Sequence, residues 1–196
     1  MEPLTPELLL SAYAQSVFPM GHGKTIRWYS PDPRAILPLD GFHIPQSLRQ
    51  TYRSAKFEIR LNSAFEEVIR ACGQRPDGTW ITAPIVAAYC SLHRAGFAHS
   101  VEAWHDGNLA GGLYGVALGG AFFGESMFHI VRDASKVALV RLVETLTARG
   151  FSLLDVQFST PHLRRFGVVE IARDEYLLRL AAALQQSCRF AEADAE

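Results

Sequence analysis

The run GGLYGVALGGAFFGESMFHIVRDASK, Gly111 to Lys136, constrains this chain more than any other stretch. Leu113–Leu118 is one apolar segment and Ala121–Phe128 a second, and Gly119-Gly120 between them is a two-residue hairpin signal. A helix start follows at Asp133 or Ser135. Within the second segment a single acid, Glu125, stands among aromatics. A carboxylate in so apolar a strand is costly unless a cation or hydrogen-bond donors meet it. Two readings stand: a strand-edge Glu in solvent, or a site for a small cation beside an apolar pocket. Gly124 signals a bulge, which would place Phe122 and Glu125 on one side.

Around this unit the chain divides into short elements. Thr5 caps a first helix with Pro6 at its first position, and Phe18-Pro19 ends it. Residues 19–34 read as a loop followed by a stiff extended stretch, Trp28 to Arg34, with prolines at 31 and 33. That stretch is the candidate boundary between a small N-terminal domain, 1–33, and a larger one, 34–196. In the larger one, strands are expected at 35–39, 57–62, 100–104 and 152–158. Helices are expected at 45–52, from 62 or 63 to 71 with Asn62 or Ser63 as cap, from a Thr82 cap to 96, and at 174–186. A short helix is expected at 160–165 and a strand remnant at 168–171. Antiparallel hairpin, helix, then strand is the order of the acetyltransferase-like (GNAT-type) central unit. The predicted class is therefore α+β with a mixed, mostly antiparallel sheet, and the substrate placed where neighbouring strands part.

Composition excludes several function classes. The 196 residues are 48% hydrophobic and 20% charged, with no run long enough to cross a membrane and no secretory leader pattern. Three cysteines, odd in number and without CxxC spacing, point to reduced thiols. Seven histidines show no HExxH and no tight helical pair, so no metal is expected. Net charge is −1, yet from Lys24 to Arg60 seven basic residues face three acids. That stretch is either a solvated face or a phosphate-contacting one, and Arg49, Arg53 and Lys56 are its candidates for contact with RNA.

The strand Phe151–Phe158 alternates cleanly, with Leu153, Asp155 and Gln157 on one face. Residues two apart on a strand are roughly 6–7 Å apart, so Asp155 and Gln157 could serve one small polar group. A carboxylate beside an amide suits binding and deprotonating an amine; a solvated strand end is the alternative. A serine hydrolase would want GxSxG, which GESMF lacks, leaving Ser126 structural. An acyl-CoA transferase would want a glycine-rich loop at the strand-to-helix junction, and HIVRDASK (His129–Lys136) has none. A non-catalytic RNA-binding module would explain the basic stretch without needing Asp155 and Gln157.

SVFPM (Ser16–Met20), WYSPDPRAILPLD (Trp28–Asp40), TWIT (Thr79–Thr82), AHSVEAW (Ala98–Trp104), the Gly111–His129 run, DASKVAL (Asp133–Leu139) and LLDVQFSTPHL (Leu153–Leu163) occur in order over nearly the whole chain. Together they resemble the leucyl/phenylalanyl-tRNA–protein transferase family. The resemblance implies transfer of Leu or Phe (with Met also in question) from aminoacyl-tRNA to the α-amine of proteins beginning with Arg or Lys. That modification marks them for N-degron proteolysis in the cytoplasm, and it uses no metal, CoA or other cofactor. It places Trp80 and Phe122 at the aminoacyl-adenosine end, Glu125 on the aminoacyl α-amino group, and Asp155 and Gln157 on the acceptor amine and catalysis. Met20 stands where better-known members carry Trp near the adenosine. Leu142 stands where they carry an aromatic in the amino-acid pocket, and Arg164-Arg165-Phe166 makes its segment more basic. The resemblance also implies an N-terminal domain reduced to about 1–33.

Overall fold

A computed structural model describes residues 4–191. The acidic end, with Glu192, Asp194 and Glu196, lies outside the described residues. Helix α1 (Pro6–Ala14) starts as its sequence requires: Thr5 Oγ1 accepts from the Leu8 N–H, and Pro6 occupies the first turn. Its Leu9 and Tyr13 are fully buried. The segment expected as a loop is instead an antiparallel hairpin, β1 (Phe18–His22) and β2 (Thr25–Tyr29), closed at Gly23-Lys24. Gly23 takes positive φ, which a two-residue turn demands. β1 is largely buried, at Phe18, Pro19 and Gly21, while β2 is half-buried or exposed, and neither strand alternates apolar with polar residues strictly enough to mark a strand in the sequence.

The main sheet runs β4 (Glu58–Leu61), β5 (Ala98–His105), β6 (Asn108–Leu118), β7 (Ala121–His129), β8 (Leu153–Gln157), β3 (Arg34–Ile36), β9 (Val169–Ile171). Every pairing is antiparallel except β7 with β8. The mixed α+β class and the mostly antiparallel sheet are thus as expected. Gly119-Gly120 joins β6 to β7, and Asp106-Gly107 joins β5 to β6. Helix α5 (Ala134–Ala148) returns the chain across one face, ends before Gly150 at positive φ, and delivers it into β8. The same face carries α2 (Gln46–Arg53), tied to α5 by Tyr52 donating to Glu144 at 2.6 Å.

The opposite face carries α1, α3 (Phe65–Gly73), α4 (Ala83–Arg94) and α7 (Arg173–Leu184), while α6 (Pro161–Arg164) is a single turn after β8. Two apolar clusters result, one on each side of the sheet. One expected cap is replaced and a second makes no capping bond. Neither Asn62 nor Ser63 caps α3 in the usual way; buried Glu102 of β5 accepts from the Ser63 hydroxyl at 2.9 Å and from the Ser63 and Ala64 N–H groups at 3.4 Å. A carboxylate there meets the positive end of the helix. Thr82 stands at the N-cap of α4, but its hydroxyl is buried without a partner among the described residues.

Strands β7 and β8 pair from Ala121/Leu153 to Phe123/Asp155 and then diverge. At the divergence β7 carries its bulge: Tyr114 pairs with Ser126, the next pair is Gly115 with Gly124, and Glu125 is the extra residue.

Candidate active site

A cavity of about 700 Å³ opens where β7 and β8 part. Leu113, Met127, Leu139, Leu142, Leu154 and Val156 make its apolar walls. Met20 of the β1–β2 hairpin and Trp80 flank the mouth. The Gly21 N–H donates to the Trp80 carbonyl at 3.0 Å, which fixes the hairpin against this wall. Glu125 and Gln157 form its polar end. Of the residues expected at a site, Met20, Trp80, Glu125, Leu142 and Gln157 line this one cavity.

Phe122 and Asp155 do not line it. The bulge is present, but it does not bring Phe122 beside Glu125. Phe122 is fully buried on the α5 side against Phe190, with ring centroids 5.2 Å apart, while Glu125 reaches the tyrosines on the other side. The extra residue of the bulge is Glu125 itself, so strand alternation before it is undisturbed.

Asp155 is sealed. It is fully buried, and its carboxylate accepts from Arg34 Nε at 3.0 and 3.1 Å, Arg34 Nη2 at 2.7 Å, the Tyr176 hydroxyl at 2.7 Å and the Gln157 N–H at 2.8 Å. Its two oxygens are saturated. Asp155 and Gln157 therefore do not present to one group together: the carboxylate points into the protein and the amide into the cavity. Gln157 holds φ at +64°, a conformation costly for a non-glycine residue, and the bond from its N–H to Asp155 secures it.

Glu125 is the opposite case. It is half-buried, open to the cavity, and among the described residues is hydrogen-bonded only by neutral donors. Tyr13 donates at 2.6 Å, Gln157 Nε2 at 2.9 Å and Tyr89 at 3.3 Å. The Tyr13 and Tyr89 hydroxyls also bond each other. Burial pushes the Glu125 carboxyl up to about 7; the Tyr13 hydrogen bond opposes this and the nearby charge of Asp155 adds to it. Because Glu125 accepts from the Gln157 amide nitrogen, the Gln157 Oε1 faces the cavity and takes no hydrogen bond among the described residues.

Several contributors were not singled out from sequence. Arg34 counted as one more cation of the basic stretch, yet it is 1% exposed and neutralises Asp155. Tyr13 looked like one apolar position of an amphipathic helix, and Tyr89 likewise. Arg75, Arg132, Asp133 and Lys136 line the cavity mouth. Arg49, Arg53 and Lys56 lie exposed on and just after α2 and do not line the cavity. Ser126 is an acceptor for Arg75 at 3.1 Å.

A family model described as leucyl/phenylalanyl-tRNA protein transferase matches residues 36–181, and the model of that family's N-terminal domain matches residues 2–32. The chain belongs to this family. The leucyl/phenylalanyl-tRNA–protein transferase of Gloeobacter violaceus is 58% identical over 189 residues, spanning 95% of this chain and 97% of that one. Its counterpart from Salinibacter ruber is 56% identical over 188 residues, spanning 95% and 83%. Among solved structures, L-PGS from Bacillus licheniformis aligns at TM-score 0.42 and 14% identity over 76% of this chain and 51% of that one. A likeness at that level bears on neither fold nor activity. As a member of the family, the chain is a transferase acting with aminoacyl-tRNA. No helix among the described residues is long and apolar enough to cross a membrane.

Proposed function

We propose that this enzyme moves Leu or Phe, with Met as a further candidate, from aminoacyl-tRNA to the α-amine of proteins beginning with Arg or Lys. The product would be marked for N-degron proteolysis in the cytoplasm. What carries the reading is the cavity itself: apolar walls, and at their polar end a carboxylate that has no ion-pair partner among the described residues. On this reading the aminoacyl side chain fills the space bounded by Leu113, Leu139, Leu142 and Leu154, and Met20 and Trp80 flank the adenosine. Phe122 shapes that pocket only from behind. We read residues 34–196 as an acetyltransferase-like unit and 1–33 as a small N-terminal unit; the two family models, which divide between residues 32 and 36, support that division.

The chemistry is aminolysis of an already activated ester. The acceptor nitrogen attacks the ester carbonyl, a C–N bond forms, and the bond to the ribose oxygen breaks. The proton lost by the amine ends on that oxygen. Glu125 holds the α-ammonium of the aminoacyl group. The Gln157 Oε1, free toward the cavity, accepts from the acceptor amine and aims its lone pair. Asp155 is a positioning residue: it holds Gln157 in its left-handed backbone conformation and never touches substrate. An α-amine with an ordinary pKa of about 7.7–8.0 is partly neutral at cellular pH, so holding amine and ester together supplies much of the rate. Arg49, Arg53 and Lys56 would track the body of the tRNA, away from the cavity.

The test is transfer of labelled Leu, and separately Phe, from charged tRNA to a peptide beginning with Arg, against one beginning with an acidic residue. Transfer to the Arg peptide alone supports the proposal. Transfer to the acidic peptide would overturn the acceptor assignment. Transfer to neither, with charged tRNA still bound, would favour a binding module.

A further inference from the structure

Four separate elements bring cationic groups to the cavity mouth. Lys136, in the first turn of α5, lines the cavity, as do Arg132 just before the helix, His129 at the end of β7 and His162 of α6. Arg75 reaches the mouth from the end of α3, anchored to the Ser126 hydroxyl at 3.1 Å and the Met127 carbonyl at 3.2 Å. The crowding is electrostatic as well as geometric. The imidazole of His162 is held below its ordinary value, first by burial and then by the charges of Lys136, Arg165 and His129.

One acid opposes them. Asp133 binds Lys136 at 2.6 Å and approaches Arg132 at 3.7 Å. It occupies the N-cap of α5 at φ +71° without making a capping bond. That posture holds the Lys136 ammonium at the mouth rather than letting it extend into solvent. Arg132 is 92% exposed and has no other carboxylate partner among the described residues. The rim thus keeps an excess of positive charge beside a pocket whose interior is apolar.

Resting on the proposed function, we infer that this rim binds the phosphodiester groups preceding the terminal, aminoacylated adenosine. The donor would then be read in three parts. The apolar walls take the amino acid, Met20 and Trp80 take the adenosine, and Arg132 and Lys136 take the backbone of the single-stranded end. The exposed cations of α2 (Arg49 and Arg53) line no part of the cavity and do not serve this segment.

The experiment compares two donors, an aminoacyl-adenosine without phosphates and an aminoacyl trinucleotide ending in the same adenosine, with an Arg-initiated acceptor peptide. For the unsubstituted enzyme the trinucleotide should be preferred, and the preference should fade as salt rises, with a slope of about 0.7 per phosphate contacted. In Arg132→Ala with Lys136→Met, the trinucleotide-to-adenosine ratio of kcat/KM should fall roughly tenfold, and Lys136→Arg should restore most of it. In Arg49→Glu with Arg53→Glu the ratio should hold. An unchanged ratio in the rim variant would overturn the assignment, and so would an equal fall in the α2 variant. Absence of transfer from either donor by the unsubstituted enzyme would instead overturn the proposed function, and this assignment with it. Thermal unfolding of the rim variant guards against misfolding, and a normal transition with an unchanged ratio counts against the rim.

Discussion

Two carboxylates sit on neighbouring strands of one sheet and meet opposite surroundings. Asp155 on β8 is closed off from solvent, paired with Arg34 and saturated by four donor groups. Glu125 on β7 faces the cavity, is bonded among the described residues only by two phenols and an amide, and is pushed up to about 7. A buried charge that already has its cation has little left to offer a substrate. A charge stabilised only by neutral dipoles retains its appetite for a cation, and an α-ammonium satisfies it. The pair thus divides the labour: Asp155 fixes the backbone that aims Gln157, and Glu125 meets the ligand.

Breaking the sealed pair should have the largest effect. Arg34→Met leaves Asp155 buried without its cation, which should cost about 3–5 kcal/mol and lower Tm by roughly 6–20 °C. Adding Asp155→Asn to it should recover part of the loss in a calorimetric scan. No destabilisation in the single variant would show that the pair is not the strut proposed here.

Glu125→Gln should behave differently, losing roughly 10–100-fold in kcat/KM for want of the charged hydrogen bond while the fold survives. Its stability signature also has a definite sign. The folded-state value lies above the unfolded one, so the native protein retains this proton longer. The group's contribution is therefore present below about 4.5 and is lost as pH rises towards about 7. Melting curves of the unsubstituted protein should fall across that window relative to Glu125→Gln; parallel curves would refute the raised value.

A smaller effect is expected at the apolar wall. Leu142→Phe narrows the pocket and should shift the Leu-to-Phe transfer ratio toward Leu by roughly tenfold. A shift toward Phe would mean the ring adds contact rather than bulk. The smallest expected change is in Arg49→Glu with Arg53→Glu, read as a shallower salt dependence of charged-tRNA binding, by about 0.9 per duplex phosphate lost.

Much of this is legible in the sequence. The Gly119-Gly120 turn, the helix that follows and the alternation of Leu153–Gln157 are local signals, and each led to the right element. The Gly124 bulge was readable too, but which residue it ejects depends on the register with β6, and that choice separates Phe122 from Glu125. The reach of Asp155 is not legible there, because period-2 alternation shows which residues share a face without showing that the face is covered. Its cover, Arg34, lies on a strand far away in sequence and resembles any surface cation. The same holds for Tyr13 and Tyr89, whose apolar helical positions hide the hydroxyls they bring to Glu125. The β1–β2 hairpin is hard to read because a proline and a glycine, Pro19 and Gly21, take buried positions of β1 and resemble loop residues, while β2 is half-buried or exposed.

The most direct test of this division of labour is the pH dependence of kcat/KM for transfer to an Arg-initiated peptide, in the unsubstituted enzyme and in Glu125→Gln. Ionised Glu125 should be the binding form and the donor's α-ammonium its ligand, so activity should rise along a lower limb near the Glu125 value of about 7, with an upper limb near about 7.7–8.0 in which the acceptor amine gains, and the donor ammonium loses, its productive form. In the variant the lower limb should vanish and the upper remain. A lower limb that persists in Glu125→Gln would show that another group titrates there, and the account of Glu125 as the open carboxylate would fail.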